Sequence, residues 1–191
     1  MHPSAALVMG ASAGGVGALL EVVASLPPDL PAVIAIVLHV GNRISILPEL
    51  LTARGPLPAR HAQDGEPLRA GLIYVAPPDA HLLLDADKAR LSRGPRENHA
   101  RPAIDPLFRT AALHWRDRAI GVVLSGAMDD GVAGLAAIKA AGGTAVVQDP
   151  ATAIDPSMPR SALAAVEVDH CLAPRDMGLA LARMVKDLAR A

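Results

Sequence analysis

The chain has 191 residues, a formal net charge of −1, 51% hydrophobic and 19% charged residues, a globular composition with enough length for a sizeable core, read as one domain over residues 1–191. Near-neutral charge and a single Tyr, Phe and Trp provide neither the basic footprint nor the stacking platforms of a nucleic-acid binder. The lone cysteine, Cys171, excludes an internal disulfide and a multi-thiolate metal site. The N-terminus lacks the pattern of a signal peptide, and no apolar run approaches the ~18 residues of a membrane span. The chain is therefore expected to be soluble, cytoplasmic and not inserted in a membrane.

The first apolar run reads as a buried strand that ends in Gly10-Ala11-Ser12-Ala13-Gly14 and passes at once into a helix. Gly-x-Ser-x-Gly at a strand-to-helix turn is the pattern that exposes a serine nucleophile, because glycines permit the sharp turn and leave room around the hydroxyl. Leu19, Leu20, Val22, Val23 and Leu26 at helical spacing predict a crossover helix over residues 16–26, stopped by Pro27-Pro28. Residues 31–40 form a near-continuous apolar run, as in a parallel strand covered on both faces, and His39 stands at its C-terminal end. A second helix is predicted over 44–53, with Pro48 tolerable only in its first turn, followed by a short strand over 57–62.

The runs 71–76, 81–85 and 89–92, separated by Pro77-Pro78-Asp79 and Asp85-Ala86-Asp87, read as antiparallel hairpins. Residues 93–102 are predicted to be an exposed loop, with Arg93, Arg96, Arg101 and Arg109 belonging to a solvated face or holding an acidic partner. Asp105 or Pro106 opens a helix to about Trp115. A buried strand over 120–124 leads through Ser125-Gly126-Ala127-Met128-Asp129-Asp130-Gly131 into a helix ending at Gly142-Gly143. Strand 144–148, helix 158–165, strand 166–172 and helix 177–188 complete the chain. This alternation predicts an α/β fold: a doubly wound, mostly parallel sheet with helices on both faces and an antiparallel hairpin portion.

Ser12, His39 and Asp130 fall at three strand ends, where open α/β sheets bind ligands. An imidazole can take the serine proton while a carboxylate fixes its tautomer and stabilises its charge. Each also has a structural role open to it. Ser12 suits a helix N-cap or an anion-binding turn, His39 a hydrogen-bonded strand end, and Asp130 a helix N-cap, with Asp129 equally suited to serve as the acid. A dinucleotide site at Gly10 to Gly17 is a weaker rival, since the glycines do not spell G-x-G-x-x-G and His39 stands where an acidic ribose ligand belongs. A metal site from His39, Asp129 and Asp130 is conceivable, without a recognised ligand spacing. His61, His81, His99, His114 and His170 are assigned to surface or packing, and His2 to a disordered end.

These residues carry a resemblance to the catalytic domain of the chemotaxis protein-glutamate methylesterases. Gly10-Ala11-Ser12-Ala13-Gly14-Gly15, Leu38-His39, Tyr74 to Leu82, Arg101-Pro102-Ala103-Ile104-Asp105, Leu124 to Gly131 and Val147 to Ala153 match in order. The resemblance implies Ser12 as nucleophile, His39 as general base and acid, and Asp130, which directly precedes Gly131, as the orienting carboxylate. It implies backbone oxyanion donors at Ala13 and Ala127, and neither cofactor nor metal. Methylated glutamates on the cytoplasmic helices of chemoreceptors become the expected substrate and partner, with receptor glutamine deamidation as a possible second reaction. The family usually has Thr where this chain has Ala13, and G-M-G-x-D-G where it has Gly126 to Gly131, so Ala127 replaces the methionine. These two replacements leave a catalytically weak, receptor-binding adaptor as the alternative. Family members commonly carry an N-terminal receiver domain, and none is expected ahead of the first strand.

Overall fold

The computed structural model describes residues 3–40 and 42–190; His2 lies outside them. Strands β1 (Ala5–Ala11), β2 (Ala32–Leu38), β3 (Ala59–His61), β4 (Ile73–Val75), β7 (Ala119–Val123), β8 (Thr144–Gln148) and β9 (His170–Leu172) form one sheet. Its order is β3-β4-β2-β1-β7-β8-β9, and every pairing is parallel. Strands β5 (His81–Leu84) and β6 (Ala89–Ser92) make a separate antiparallel hairpin.

All seven residues of β1 and of β2 are buried, which explains their unbroken apolar sequence. Their side chains divide by parity. Leu7 and Met9 join one core with α1 (Gly15–Ala24), α2 (Leu47–Arg54) and α6 (Pro174–Leu188). Ala6 and Val8 join the other with α3 (Ile104–Trp115), α4 (Val132–Ala140) and α5 (Ser157–Ala165). The sheet is thus covered on both sides, as the alternation of elements predicted. Because Leu7 has no exposed surface, truncating it to Ala would cost about 2–5 kcal/mol.

Three local readings are corrected. Residues 73–75 form an interior parallel strand and not part of a hairpin; Ile73 and Val75 enter one core and Tyr74 the other, so this run needs helices on both faces. Among the described residues, the antiparallel pair of strands is formed by 81–84 and 89–92. Helix α2 starts at Leu47, three residues later than expected at 44, because Pro48 must lie in the first turn; Ile44 and Ile46 remain exposed ahead of it. At the end of the chain β9 covers only His170–Leu172, and α6 begins at Pro174, with proline at a favoured helix start.

The chain leaves β1 through α1 on one face and leaves β7 through α4 on the other, and these two strands are neighbours. The crevice beyond their carboxyl ends is therefore the topological switch point, where such sheets bind ligands.

Candidate active site

Ser12 follows the last residue of β1. Its amide donates to Ser125 O at 2.9 Å, and Gly15 N donates back to Ser12 O at 2.9 Å, which closes a tight turn before α1. Gly14 sits at φ 72°, a conformation glycine adopts without steric cost. The buried Ser125 hydroxyl donates to Ala13 O at 2.7 Å and accepts from Asp155 N at 3.0 Å, so the turn is braced from beneath. A Cβ on Gly126 would lie 2.8 Å from Ser12 Cβ, so this position must be glycine for the serine to keep its place.

His39 leaves β2 with its amide donating to Ala11 O at 3.2 Å, and its ring then bridges two other strand ends. Nδ1 lies 3.0 Å from Ser12 Oγ and Nε2 lies 2.7 Å from Asp130 Oδ2. An ionised carboxylate has no hydrogen to offer, so Nε2 carries the proton, and Nδ1 is left with a lone pair toward the serine hydroxyl.

Asp130 is 2% exposed and uses both oxygens twice. Oδ2 accepts from His39 Nε2 and from Ile104 N at 2.7 Å; Oδ1 accepts from Asn98 Nδ2 at 2.7 Å and Asp105 N at 3.1 Å. Burial pushes this carboxyl upward, but the donors from His39, Ile104, Asn98 and Asp105 together outweigh it and hold it below the ordinary value of 3.8. The alternative acid, Asp129, is exposed. Asp130 does not cap its own helix: Gly131 is the N-cap of α4, and Asp130 instead receives the first amides of α3.

Asp105, on the first turn of α3, is buried and accepts from Gly131 N at 3.1 Å and Gly134 N at 2.7 Å with Oδ1, and from Asn98 Nδ2 at 2.8 Å with Oδ2. Burial raises its carboxyl above 3.8 against the opposing hydrogen bonds of Gly134 and Asn98, and the charge of Asp130 raises it further.

A cavity of about 190 Å³ opens beside the serine, lined by Ser12, His39, Asn98, His99, Met128 and Asp130, with Ala127 and Asp129 completing it. Ala13 and Ala127 are exposed, and among the described residues neither amide N–H donates to a protein acceptor. Among the described residues no cluster of three His, Cys, Asp or Glu side chains is placed to hold a metal ion, so the trio of His39, Asp129 and Asp130 does not assemble as one.

Sequence reasoning missed Asn98, the buried role of Asp105, and His99. The loop over 93–102, expected to be solvated, reaches the site. Arg101 donates to Asp79 Oδ1 at 2.7 Å and to Gly94 O at 2.8 Å, and Arg109 donates to both oxygens of Glu97 at 2.8 Å, so two of the four arginines fasten this loop. His99, assigned to surface or packing, is exposed and lines the cavity. His81 packs as expected, accepting from Ala103 N at 3.2 Å and donating to Pro95 O at 2.9 Å. The available signal was the Arg101 to Asp105 motif, whose acidic residue beside Pro106 marks a helix start.

A family model described as CheB methylesterase matches residues 7–181. A Leptospira interrogans protein, named provisionally as a protein-glutamate methylesterase/protein-glutamine glutaminase, is 44% identical over 87% of this chain and 88% of its own length. An Anaeromyxobacter dehalogenans protein-glutamate methylesterase/protein-glutamine glutaminase 2 is 40% identical over 94% of this chain, and the chain spans only 53% of it. The crystal structure of the Thermotoga maritima CheB methylesterase catalytic domain superposes with a TM-score of 0.91 at 30% identity, covering 94% of this chain and 98% of that one. A family match across nearly the whole chain, carried by the same doubly wound sheet, leads to one conclusion: this chain belongs to the CheB methylesterase family.

Proposed function

We propose that this chain is a hydrolase that removes methyl esters from glutamate side chains on the cytoplasmic helices of chemoreceptors, and that the same site deamidates receptor glutamines. The observation that carries the reading is the hydrogen-bonded chain from Ser12 through His39 to Asp130 at the mouth of a cavity. His39 Nδ1 takes the proton of Ser12 Oγ as the oxygen attacks the ester carbonyl. The tetrahedral oxyanion is held by backbone amides at Ala13 and Ala127, where one such donor is worth about 3–4 kcal/mol. Collapse expels methoxide, which takes the proton from His39 and leaves as methanol, with an acyl-enzyme remaining. Water, deprotonated by His39, then hydrolyses the acyl-enzyme to glutamate and free Ser12. A glutamine side chain follows the same path with ammonia as the leaving group.

Asp130 stays ionised throughout and stabilises the imidazolium, a role its four donors and lowered pKa support. Ala127 changes only the side chain at the oxyanion turn, so the amide donor survives the departure from the usual methionine. Action in the cytoplasm fits a chain among whose described residues no helix is long and apolar enough to cross a membrane.

Methanol release from methylated receptor, compared between native protein and Ser12→Ala, tests the reading. Turnover that the substitution abolishes is the expected result. Receptor binding with negligible hydrolysis by the native protein would overturn it in favour of an adaptor.

A further inference from the structure

We propose that Asn98 is a positioning residue for the reaction, holding the carboxylate of Asp130 in line with His39 through a bridge that also ties it to Asp105. The inference rests on the reading of Asp130 as the catalytic partner of His39. Asn98 Nδ2 donates one hydrogen to Asp130 Oδ1 at 2.7 Å and the other to Asp105 Oδ2 at 2.8 Å. A primary amide suits this place because its two hydrogens diverge from one nitrogen, and it adds no charge between two carboxylates. The remaining partners of Asp130 Oδ1 and Oδ2 are backbone amides and His39 itself. Among the described residues, Asn98 is thus the one side chain besides His39 that grips Asp130.

The backbone is shaped to deliver that amide. Glu97 and Ala100 exchange hydrogen bonds at 3.1 and 2.8 Å around a two-residue turn, in which Asn98 has φ 49° and His99 φ 63°. Asn is among the residues that accept such a turn most readily. The turn is pinned at its start by the Glu97–Arg109 pair at 2.8 Å. Asn98 is itself exposed, so it bridges two buried carboxylates from the surface side of the cavity. Without it, Oδ1 keeps only the Asp105 amide at 3.1 Å, and the Ile104 and Asp105 amides alone hold the carboxylate toward Nε2.

Two roles predict opposite orders among variants. At a positive φ, Asp is tolerated better than Ala, so a residue that only shapes the turn would favour Asn98→Asp over Asn98→Ala. A residue that donates to two carboxylates would be harmed most by Asn98→Asp, which sets an oxygen against both. We expect Asn98→Ala to lower kcat about 10-fold with KM nearly unchanged, and Asn98→Asp to lower it about 100-fold. Among the described residues, the charged and titratable groups that line the cavity with His39 are Asp130 and Asp129 on the β7–α4 turn and His99 on the Asn98 turn, with Asp105 on α3 in contact with Asp130. Loss of the amide donor makes Asp130 more basic toward His39, so the acid limb of kcat/KM in Asn98→Ala should move to higher pH.

The assay is methanol release by the whole chain from methylated receptor, with circular dichroism melts of each variant. Native protein that turns over and a Ser12→Ala variant that does not, together with Asn98→Asp as active as Asn98→Ala or better, would overturn the role of Asn98 alone. An acid limb unmoved in Asn98→Ala would do the same, and it decides the matter if Asn98→Asp does not fold. Native protein without turnover would remove both this inference and the function on which it rests.

Discussion

Asp105 and Asp130 cap each other's helices: Asp130, just ahead of α4, accepts the Ile104 and Asp105 amides of α3, while Asp105, within α3, accepts the amides of Gly131, the N-cap of α4, and of Gly134 in its first turn. Each helix start, with its orphan donors and positive end, is thereby completed by the acid of its neighbour. The exchange fixes α3 and α4 together and leaves one oxygen of Asp130 turned to His39. The packing of the two helices and the orientation of Asp130 toward His39 are therefore coupled at this pair.

Asp130→Asn should keep the fold and lower turnover by a factor on the order of 10⁴. All four partners of Asp130 are donors, so an amide nitrogen placed there faces either a backbone N–H or His39 Nε2–H. The least costly rearrangement moves the imidazole proton to Nδ1, which then points a hydrogen at Ser12 and cannot accept one. Steady-state kinetics beside a thermal melt would reveal this; an unchanged kcat would contradict it.

Asp105→Ala should destabilise the fold by about 2–3 kcal/mol, because it strands the Gly131 and Gly134 amides in a buried place. The effect is read as a shift in the urea midpoint at unchanged slope.

The two carboxyls should also pull the acid stability curve in opposite directions. Asp130, held below 3.8, stabilises the fold at higher pH, and this contribution fades as pH falls through its lowered value. Asp105 is raised above 3.8, so its contribution is complete below that pH and is lost as pH rises through the raised value. Native protein should therefore lose stability relative to Asp105→Asn as pH rises from about 4 toward neutrality. Urea unfolding of both proteins across that range measures the narrowing gap, and a gap that widens would refute the assignment.

Gly126→Ala is expected to cost activity out of proportion to stability. The new Cβ would collide with Met158 Sδ, which a flexible side chain can relieve, and would meet Ser12 Cβ at 2.8 Å, which it cannot. Overpacking of this kind costs about 1–3 kcal/mol. Displacing Ser12, the proposed nucleophile, should lower kcat by at least about 10-fold, since effective molarity depends on position at the ångström scale. Labelling of Ser12 by a serine-directed phosphonate would slow in parallel.

His99→Gly should raise stability by about 1 kcal/mol, because His99 occupies φ 63°, where a side chain is strained. The same change takes an imidazole from the cavity wall, so under the proposed function KM for methylated receptor should rise while kcat holds. A destabilised variant would mean that the imidazole, and not the backbone, dominates at this turn.

The buried strands, the helices that cross between them, and the residues that stand where strands end were all legible in the amino-acid order. Such features follow from periodicity and from Gly and Pro placement, which act within a few residues of chain; β1 and β2, apolar throughout, could hardly be anything other than parallel and covered on both faces. The motif around Ser12 was legible for the same reason. The residues alone left Asp129 and Asp130 open as the acid and the family resemblance pointed to Asp130; the folded chain brings Asp130 to His39 across 91 residues, since two adjacent acids in a turn differ only in which way the packed helices leave them pointing. Tertiary packing also decided that residues 73–75 lie inside the sheet, because a short apolar run reads alike in a hairpin and in a parallel strand until its neighbours are known. Asn98 and Asp105 stayed hidden because their partners lie on other elements, and hydrogen bonds made by packing leave no local period in the chain.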